Sequence, residues 1–478
     1  MANLFDLLTA NADPAAPFLE RPDGLVDRYA DLMAHTARLA NALAARGVKP
    51  GDRVACQVEK SPENLYLYLA TVRAGAVFLP LNTAYTAAEL DYFIGDAEPA
   101  LVVKDDTLAV LVEEARGLSP DFATVARDPN DLAAICYTSG TTGRSKGAML
   151  THANLASNAR TLTDLWRFTA DDVLIHALPI YHVHGLFVAT NIVLTAGASM
   201  IFRPKFDAAE VLDLLPRATA LMGVPTFYTR LLGQPGLTPE TAASMRVFIS
   251  GSAPLLADTH REWQARTGTA ILERYGMTET GMNTSNPYDG ERVAGTVGFP
   301  LPDVDLRITD PDTGRALAPG EIGVIEVRGP NVFAGYWRNP EKTAAEFRPD
   351  RFFITGDLGM IDERGYVHIV GRGKDLIISG GLNVYPKEVE TEIDALPGVV
   401  ESAVVALPHP DLGEAVTAVI ATGPGSILTE AEVLSALSER LARFKQPRRV
   451  VFVEDLPRNA MGKVQKAKLR EQYASLYR

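Results

Sequence analysis

Residues 137–149 read YTSGTTGRSKGAM. The hydroxyls of Thr138, Ser139, Thr141 and Thr142 are interleaved with Gly140 and Gly143, and Lys146 follows close behind. Glycines let a backbone fold tightly enough for its N–H groups to converge. Convergent N–H and O–H donors beside a cation make a cradle for phosphate oxygens. The spacing is not that of the G-x-x-x-x-G-K-[ST] loop, because Ser145 precedes Lys146 and Gly147 follows it, so nucleotide kinases and GTPases of that type are excluded. Taken alone, such a loop is equally well a solvated Ser/Thr/Gly surface segment. Its composition suits neither strand nor helix, and it is expected to connect the apolar strand LAAIC (132–136) to the helix ANLASNARTLTDLW.

Further candidates lie along the chain in six short stretches. His182 falls in YHVHGL (181–186), Gly251, Ser252, Ala253 and Pro254 in ISGSAPL (249–255), and Glu273 to Glu279 in ERYGMTET (273–280). Asp357 follows Gly356 in ITGDLG (354–359), Arg372 and Lys374 open GRGKDLIISGG (371–381), and Lys463 sits in PRNAMGKVQK (457–466). Each has a plain structural alternative: Tyr275 and His182 as core residues, Asp357 as a turn cap, Lys463 as one surface lysine among many. Their order removes that ambiguity. Together with YTSGTTGRSKG they closely resemble the adenylate-forming superfamily of acyl-CoA synthetases, adenylation domains and luciferases, over nearly the whole chain. The wording ERYGMTET…NPYDGERVAGTVG and LPIYHVHGLF is most similar to malonyl-CoA synthetases. Ser145 departs from the family, whose loop carries Pro there. Only about two dozen residues separate LVVKDD from DLAAICYTSG, which implies a trimmed first subdomain.

The resemblance implies two half-reactions. A carboxylate attacks the α-phosphorus of ATP to give an acyl-adenylate and pyrophosphate, and the thiol of CoA then displaces AMP. Thr138, Ser139, Gly140, Thr141, Thr142, Gly143 and Lys146 would hold the β,γ-phosphates. Thr278 would bond the α-phosphate, and Glu279 would help hold Mg²⁺, a hard ion suited to carboxylate and phosphate oxygens. Asp357 would accept from the ribose hydroxyls with Arg372 assisting. Gly251 to Pro254 and Tyr275, within a nucleotide-lining segment that also includes Glu273, Gly276 and Met277, would enclose adenine. Lys463 would bridge the acyl carboxylate and the phosphate. Lys374 would be the hinge on which a small C-terminal domain turns, Gly380 and Gly381 would line the path of the CoA thiol, and His182 would gate it. A dicarboxylate needs a fixed cation, and Arg274 and Arg292 supply the forked guanidinium that suits one.

These residues need an α/β scaffold. DRVACQVEK reads as a strand, SPENLYLYLATVRAG as a helix opened by a Ser cap and Pro, and AVFLPLN as the next strand. RVFISGSAPL, LADTHREWQARTG and TAILERYGMTET repeat the rhythm. Around 300–370, turn signals such as DPDTG and DERG mark a small β subdomain. After GRGKDLI the pattern becomes that of a small α+β domain, with helices in YPKEVETEIDAL and TEAEVLSALSERLARF and strands in VESAVVAL and AVTAVIA. The expected division is residues 1–373, the AMP-binding part, and 374–478, a mobile part carrying Lys463.

The formal net charge of −13 over 478 residues argues against a general nucleic-acid or anionic-membrane binder. Residues 437–478 hold eleven Lys/Arg against four Asp/Glu, a basic segment on an acidic chain that suits polyanionic small molecules. Two distant cysteines, Cys56 and Cys136, exclude a disulfide framework or structural zinc site and fit a reducing, cytoplasmic setting. Residues 173–202 lack Asp, Glu, Lys and Arg, but three His, Asn191, Pro179 and Gly185 make a membrane span costly, so buried strand, loop and helix are expected. The expected activity is a malonate–CoA ligase using ATP, Mg²⁺ and CoA, with a lysine acetyltransferase as a partner acting on Lys463. The alternatives are a ligase for methylmalonate or another small, aryl or medium-chain acid, a stand-alone adenylation domain loading a carrier protein, and a non-catalytic nucleotide-binding scaffold.

Overall fold

The computed structural model describes residues 3–138, 145–379, 382–423, 425–459 and 462–477. Ser139 to Gly143, Gly380 and Gly381 therefore lie outside the described residues. Helices begin where a side-chain oxygen can meet the first free N–H groups. Ser61 caps Pro62–Arg73, Thr151 caps His152–Leu165 and Thr429 caps Glu430–Ser438.

Two compact units divide the chain, Met1–Asp305 with Val327–Phe353 and Leu306–Glu326 with Ile354–Arg478. The first holds two sheets. A nine-stranded sheet runs in the order Phe299–Pro300, Gly281–Ser285, Leu272–Met277, Val247–Ser250, Ala220–Gly223, Val173–His176, Ser199–Phe202, Pro17–Glu20, Val26–Arg28. Its middle strands are parallel and, from Val247–Ser250 to Ser199–Phe202, mostly apolar, as suits strands covered on both faces. Phe248, Leu221, Ile175 and Ile271 pack with Trp263 and Tyr228, whose rings meet edge to face at 4.9 Å. A six-stranded sheet runs Gly335–Tyr336, Lys146–Thr151, Leu132–Thr138, Val77–Pro80, Arg53–Gln57, Leu101–Lys104.

The second unit contains most of the four-stranded sheet Asp305–Thr309, Gly323–Arg328, Phe353–Ile361, Val367–Arg372. A further sheet is built on Gly413–Thr422, paired with Val399–His409, Ile377–Ser379 and Arg449–Val453. Alternation along Val399–His409 sends Val404 into one core with Val389, Ile393 and Leu437, and Ala403, Val405 and Leu407 into another with Leu456 and Leu469. The architecture is the expected α/β one: a large part of α/β subdomains with a small β subdomain, followed by a small α+β part. The compact units group the small β sheet with the C-terminal residues, whereas 373/374 was the division expected from sequence.

Three local expectations change. Residues 137–149 are not loop throughout: Leu132–Thr138 and Lys146–Thr151 form an antiparallel pair with Thr138 opposite Lys146, because Tyr137 and Ile135 bury against the sheet. The helix expected through Phe444 stops at Ser438, whose hydroxyl donates to Ser435 O at 2.7 Å and competes with the helical pattern. Residues 173–202 are strand, loop and helix as expected, but the helix opens with a π segment, His184–Ala189, before Thr190–Ala196. Among the described residues no helix is long and apolar enough to cross a membrane.

Candidate active site

The strand Leu272–Met277 and the turn after it carry the candidates Glu273 to Glu279. Alternation sets their fates. The Glu273 carboxylate is buried and accepts from His260 Nδ1 at 3.1 Å and Gly295 N at 3.3 Å, contacts that hold the scaffold. The side chain of Arg274 leaves on the opposite face and is only 3 % exposed. Its guanidinium packs against Gly251, where a Cβ would come within 2.5 Å of Cζ and Nη1, so a side chain there would displace the guanidinium. Nε and Nη2 of Arg274 are buried with no hydrogen-bond partner, and among the described residues no carboxylate pairs with it. Burial pushes this guanidinium down to about 9.

Ser252, next to Gly251, holds φ at +71°, a conformation L-residues rarely adopt. Its Oγ lies 3.3 Å from Nδ1 of His184. The His184 ring is buried and its Nε2 has no partner. Burial first, then the neighbouring Arg274 cation, lowers its basicity, so the ring is neutral. The π segment that carries His184 is held through Gly185 O, which lies 2.9 Å from His176 Nε2 and accepts from Thr190 Oγ1 at 3.0 Å. Lys60 Nζ lies 3.0 Å from His176 Nδ1, so Nδ1 accepts and Nε2 donates. A side chain at Gly185 would strike Pro179 O. π segments of this kind cluster at functional sites because they free a carbonyl and re-aim side chains. His182 is half-buried, with its Nδ1 3.5 Å from His184 N.

A second group surrounds Glu279, buried in the turn that also carries Thr278. The hydroxyl of Tyr336 reaches Glu279 Oε1 at 3.0 Å and Glu346 Oε2 at 2.6 Å. Lys146 Nζ lies 3.7 Å from Glu346 Oε1 and 5.0 Å above the Tyr336 ring, so the loop cation and the candidate metal-holding carboxylate belong to one network. Thr138 Oγ1 lies 3.5 Å from Lys146 O across the hairpin. Among the described residues no three His, Cys, Asp or Glu side chains gather into a metal cage.

In the second unit, Asp357 and Arg372 face each other on paired strands, Arg372 Nε donating to Asp357 Oδ1 at 2.8 Å. Asp357 is 4 % exposed, and an ionised carboxylate acts only as an acceptor, the property needed to bind hydroxyls. Lys374 lies in the short turn Gly373–Asp375, where burial lowers its ammonium. Lys463 is exposed on a turn whose backbone is tied by Asn459.

Arg292 engages backbone carbonyls. Its Nε, Nη1 and Nη2 donate to Pro287 O, Ala270 O and Tyr288 O at 3.2, 2.7 and 3.0 Å. These bonds pin residues 287–292 to the segment before the Leu272–Met277 strand, whereas among the described residues Nε and Nη2 of Arg274 have no partner. Sequence reasoning missed His184, Tyr336, Glu346 and Lys60. His184 stood two residues from His182 in the same stretch, and only the π segment separates their surroundings. No sequence spacing links Tyr336 or Glu346 to Glu279.

Residues 9–337 match the AMP-binding enzyme family and residues 388–463 match the AMP-binding enzyme C-terminal domain. The crystal structure of ATP-bound MatB from Rhodopseudomonas palustris superimposes with a TM-score of 0.97 at 63% identity, covering 100% of this chain and 99% of that one. A feruloyl-CoA synthase from an Amycolatopsis species is 37% identical over 95% of both chains. A malonate–CoA ligase from Arabidopsis thaliana is 35% identical over 89% of this chain and 78% of its own.

Proposed function

This chain belongs to the AMP-binding enzymes and is an AMP-forming acid–CoA ligase, and we propose that the acid it activates is malonate. The observation that carries the choice is Arg274, a buried guanidinium whose Nε and Nη2 have no partner among the described residues. A cation kept in that state costs stability, and a substrate carboxylate is the partner that offsets the cost. His184 Nε2, which has no partner among the described residues, lends a further polar group to the pocket, and with Ser252 donating to Nδ1 it would carry the proton. A monocarboxylate of the same length leaves all of these donors unsatisfied.

With the distal carboxylate held there, the proximal carboxylate oxygen attacks the α-phosphorus of ATP and pyrophosphate leaves. Both reactants are anionic, so fixed donors and cations supply the catalysis. Thr278 bonds the α-phosphate, and Lys146 with the hydroxyls and amides of 138–143 holds the β,γ-phosphates. Lys463 neutralises charge between carboxylate and phosphate, while Asp357 and Arg372 fix the ribose. Mg²⁺, when bound, supplies charge neutralisation on phosphate oxygens and would be held by Glu279, which Tyr336 orients. In the second half-reaction the C-terminal part reorients about Lys374, and the CoA thiol attacks the acyl carbonyl past Gly380 and Gly381, with AMP leaving. His182 gates its path.

The test is a panel of acids with ATP, Mg²⁺ and CoA, following AMP and thioester together. Malonate preferred over propionate, methylmalonate and aryl acids supports the reading. An aryl or monocarboxylic preference refutes it. Acyl-adenylate without thioester points to carrier loading instead.

A further inference from the structure

The turn that bears Lys463 is clamped at both ends by one acidic face of the second unit. Arg458 lies opposite Val464 in an isolated β-bridge, five residues before the lysine. Its Nη1 donates to Gly462 O at 2.7 Å, and its Nη2 pairs with the Glu401 carboxylate. A single guanidinium therefore joins the carbonyl immediately before Lys463 to the strand Val399–His409. On the far side of the turn, Lys466 Nζ lies 2.5 Å from Glu390 Oε1. Glu390 is buried on the helix Pro386–Asp394 and also accepts from Val404 N at 2.9 Å. Within the turn, Asn459 Oδ1 accepts from Lys463 N at 3.0 Å, Asn459 N donates to Lys463 O at 2.9 Å, and Gly462 takes φ +73°.

We infer that Glu401, acting through Arg458, is a positioning residue for Lys463, with Glu390 and Lys466 as the second anchor. This rests on the reading of Lys463 as the adenylation lysine. A four-carbon stem on an exposed turn places its ammonium only as well as the turn itself is placed. A misplacement of about 1 Å at a reacting centre can cost about a hundredfold in rate. The planar fork of Arg458 fixes the angle between its bonds to a carbonyl and a carboxylate, which the freely rotating ammonium of a lysine does not. The anchor is chemically distinct from the fold's own support, since the strand carrying Glu401 is held by its ladder to Gly413–Thr422 and by apolar residues on both faces.

The experiment measures malonate-dependent pyrophosphate–ATP exchange and, separately, conversion of supplied malonyl-adenylate and CoA to thioester. Variants are Glu401→Gln, Arg458→Lys and Lys463→Ala in the full-length protein, each with its unfolding midpoint. The expected result is a fall of about tenfold or more in the exchange kcat for Glu401→Gln and Arg458→Lys, with KM for ATP and malonate unchanged and thioester formation retained. Full exchange activity in Glu401→Gln, while Lys463→Ala loses it, overturns the anchor and leaves the role of Lys463 standing. Equal loss in both half-reactions together with a lowered midpoint overturns positioning in favour of simple fold support. Exchange that survives Lys463→Ala overturns the reading of the lysine itself, and the anchor with it.

Discussion

Arg274→Met is the sharpest test of the acid pocket, because stability and activity should move in opposite directions. The substitution keeps most of the side-chain length and removes the charge. Leaving the distal carboxylate of malonate buried without its cation should cost about 3–5 kcal/mol of transition-state binding. At about 1.4 kcal/mol per factor of ten, kcat/KM for malonate falls by roughly two to three orders of magnitude or more. Propionate lacks the distal charge, so its kcat/KM should change little or rise. The free protein should meanwhile gain stability. Burial lowers the guanidinium from 12.5 to about 9, so below pH 9 the fold carries the penalty of an unpaired buried cation, on the order of 5 kcal/mol at most. Removing it should raise the unfolding midpoint, the usual exchange between stability and a strained site. The assay is the malonate-to-propionate ratio of kcat/KM beside thermal unfolding without substrates. Arg274→Lys should recover only part of the malonate activity, because the fork is lost. A ratio that shifts by less than a few-fold, or a midpoint that falls, would refute the assignment and make Arg274 a structural residue.

Arg292→Ala should behave in the contrary way, lowering the unfolding midpoint through loss of three bonds to carbonyls while leaving the malonate-to-propionate ratio unchanged; a changed ratio would return Arg292 to the pocket. Tyr336→Phe removes the hydroxyl shared by Glu279 and Glu346, costing about 1–3 kcal/mol of carboxylate positioning. It should raise the Mg²⁺ concentration needed for half-maximal pyrophosphate release, and an unchanged Mg²⁺ dependence would contradict the network. Lys374→Pro fixes φ and removes a donor, so the first turnover should release pyrophosphate normally while thioester formation fails; intact thioester formation would place the hinge elsewhere. Burial raises the Asp394 carboxyl from 3.8 to about 6, so the folded state binds a proton that the unfolded chain has already lost. The stability this contributes, up to about 3 kcal/mol, is complete below pH 3.8 and is lost as pH rises through 6. Asp394→Asn should therefore slow hydrogen exchange of the Val399–His409 amides at pH 8 relative to the unchanged protein and make little difference at pH 4.

Much of this protein is decided by short-range chemistry and was legible in its sequence. Ser61 before Pro62 and Thr429 before Glu430 start helices because a cap acts within three residues, on N–H groups that exist wherever a helix begins. The alternation in Val399–His409 specifies two faces because a strand's period is two. The donors around 138–147 suggest phosphate because their density is itself the chemistry. Other features exist only once distant segments meet. Arg274 and Arg292 are equivalent forks in the sequence. Folding presses one against Gly251 with donors to spare, while three backbone carbonyls consume the other. Tyr336 lies 57 residues from Glu279 and joins it to Glu346 through one hydroxyl. Arg458 reaches Glu401 the same way, across 57 residues. The end of the helix at Ser438 and the π segment at His184 likewise turn on competing hydrogen bonds that residue patterns do not encode. Which groups could do chemistry follows from residue type and local spacing. Which of them remain available to a substrate depends on who their neighbours are, and that is settled by the competition among buried donors and acceptors when the chain closes on itself.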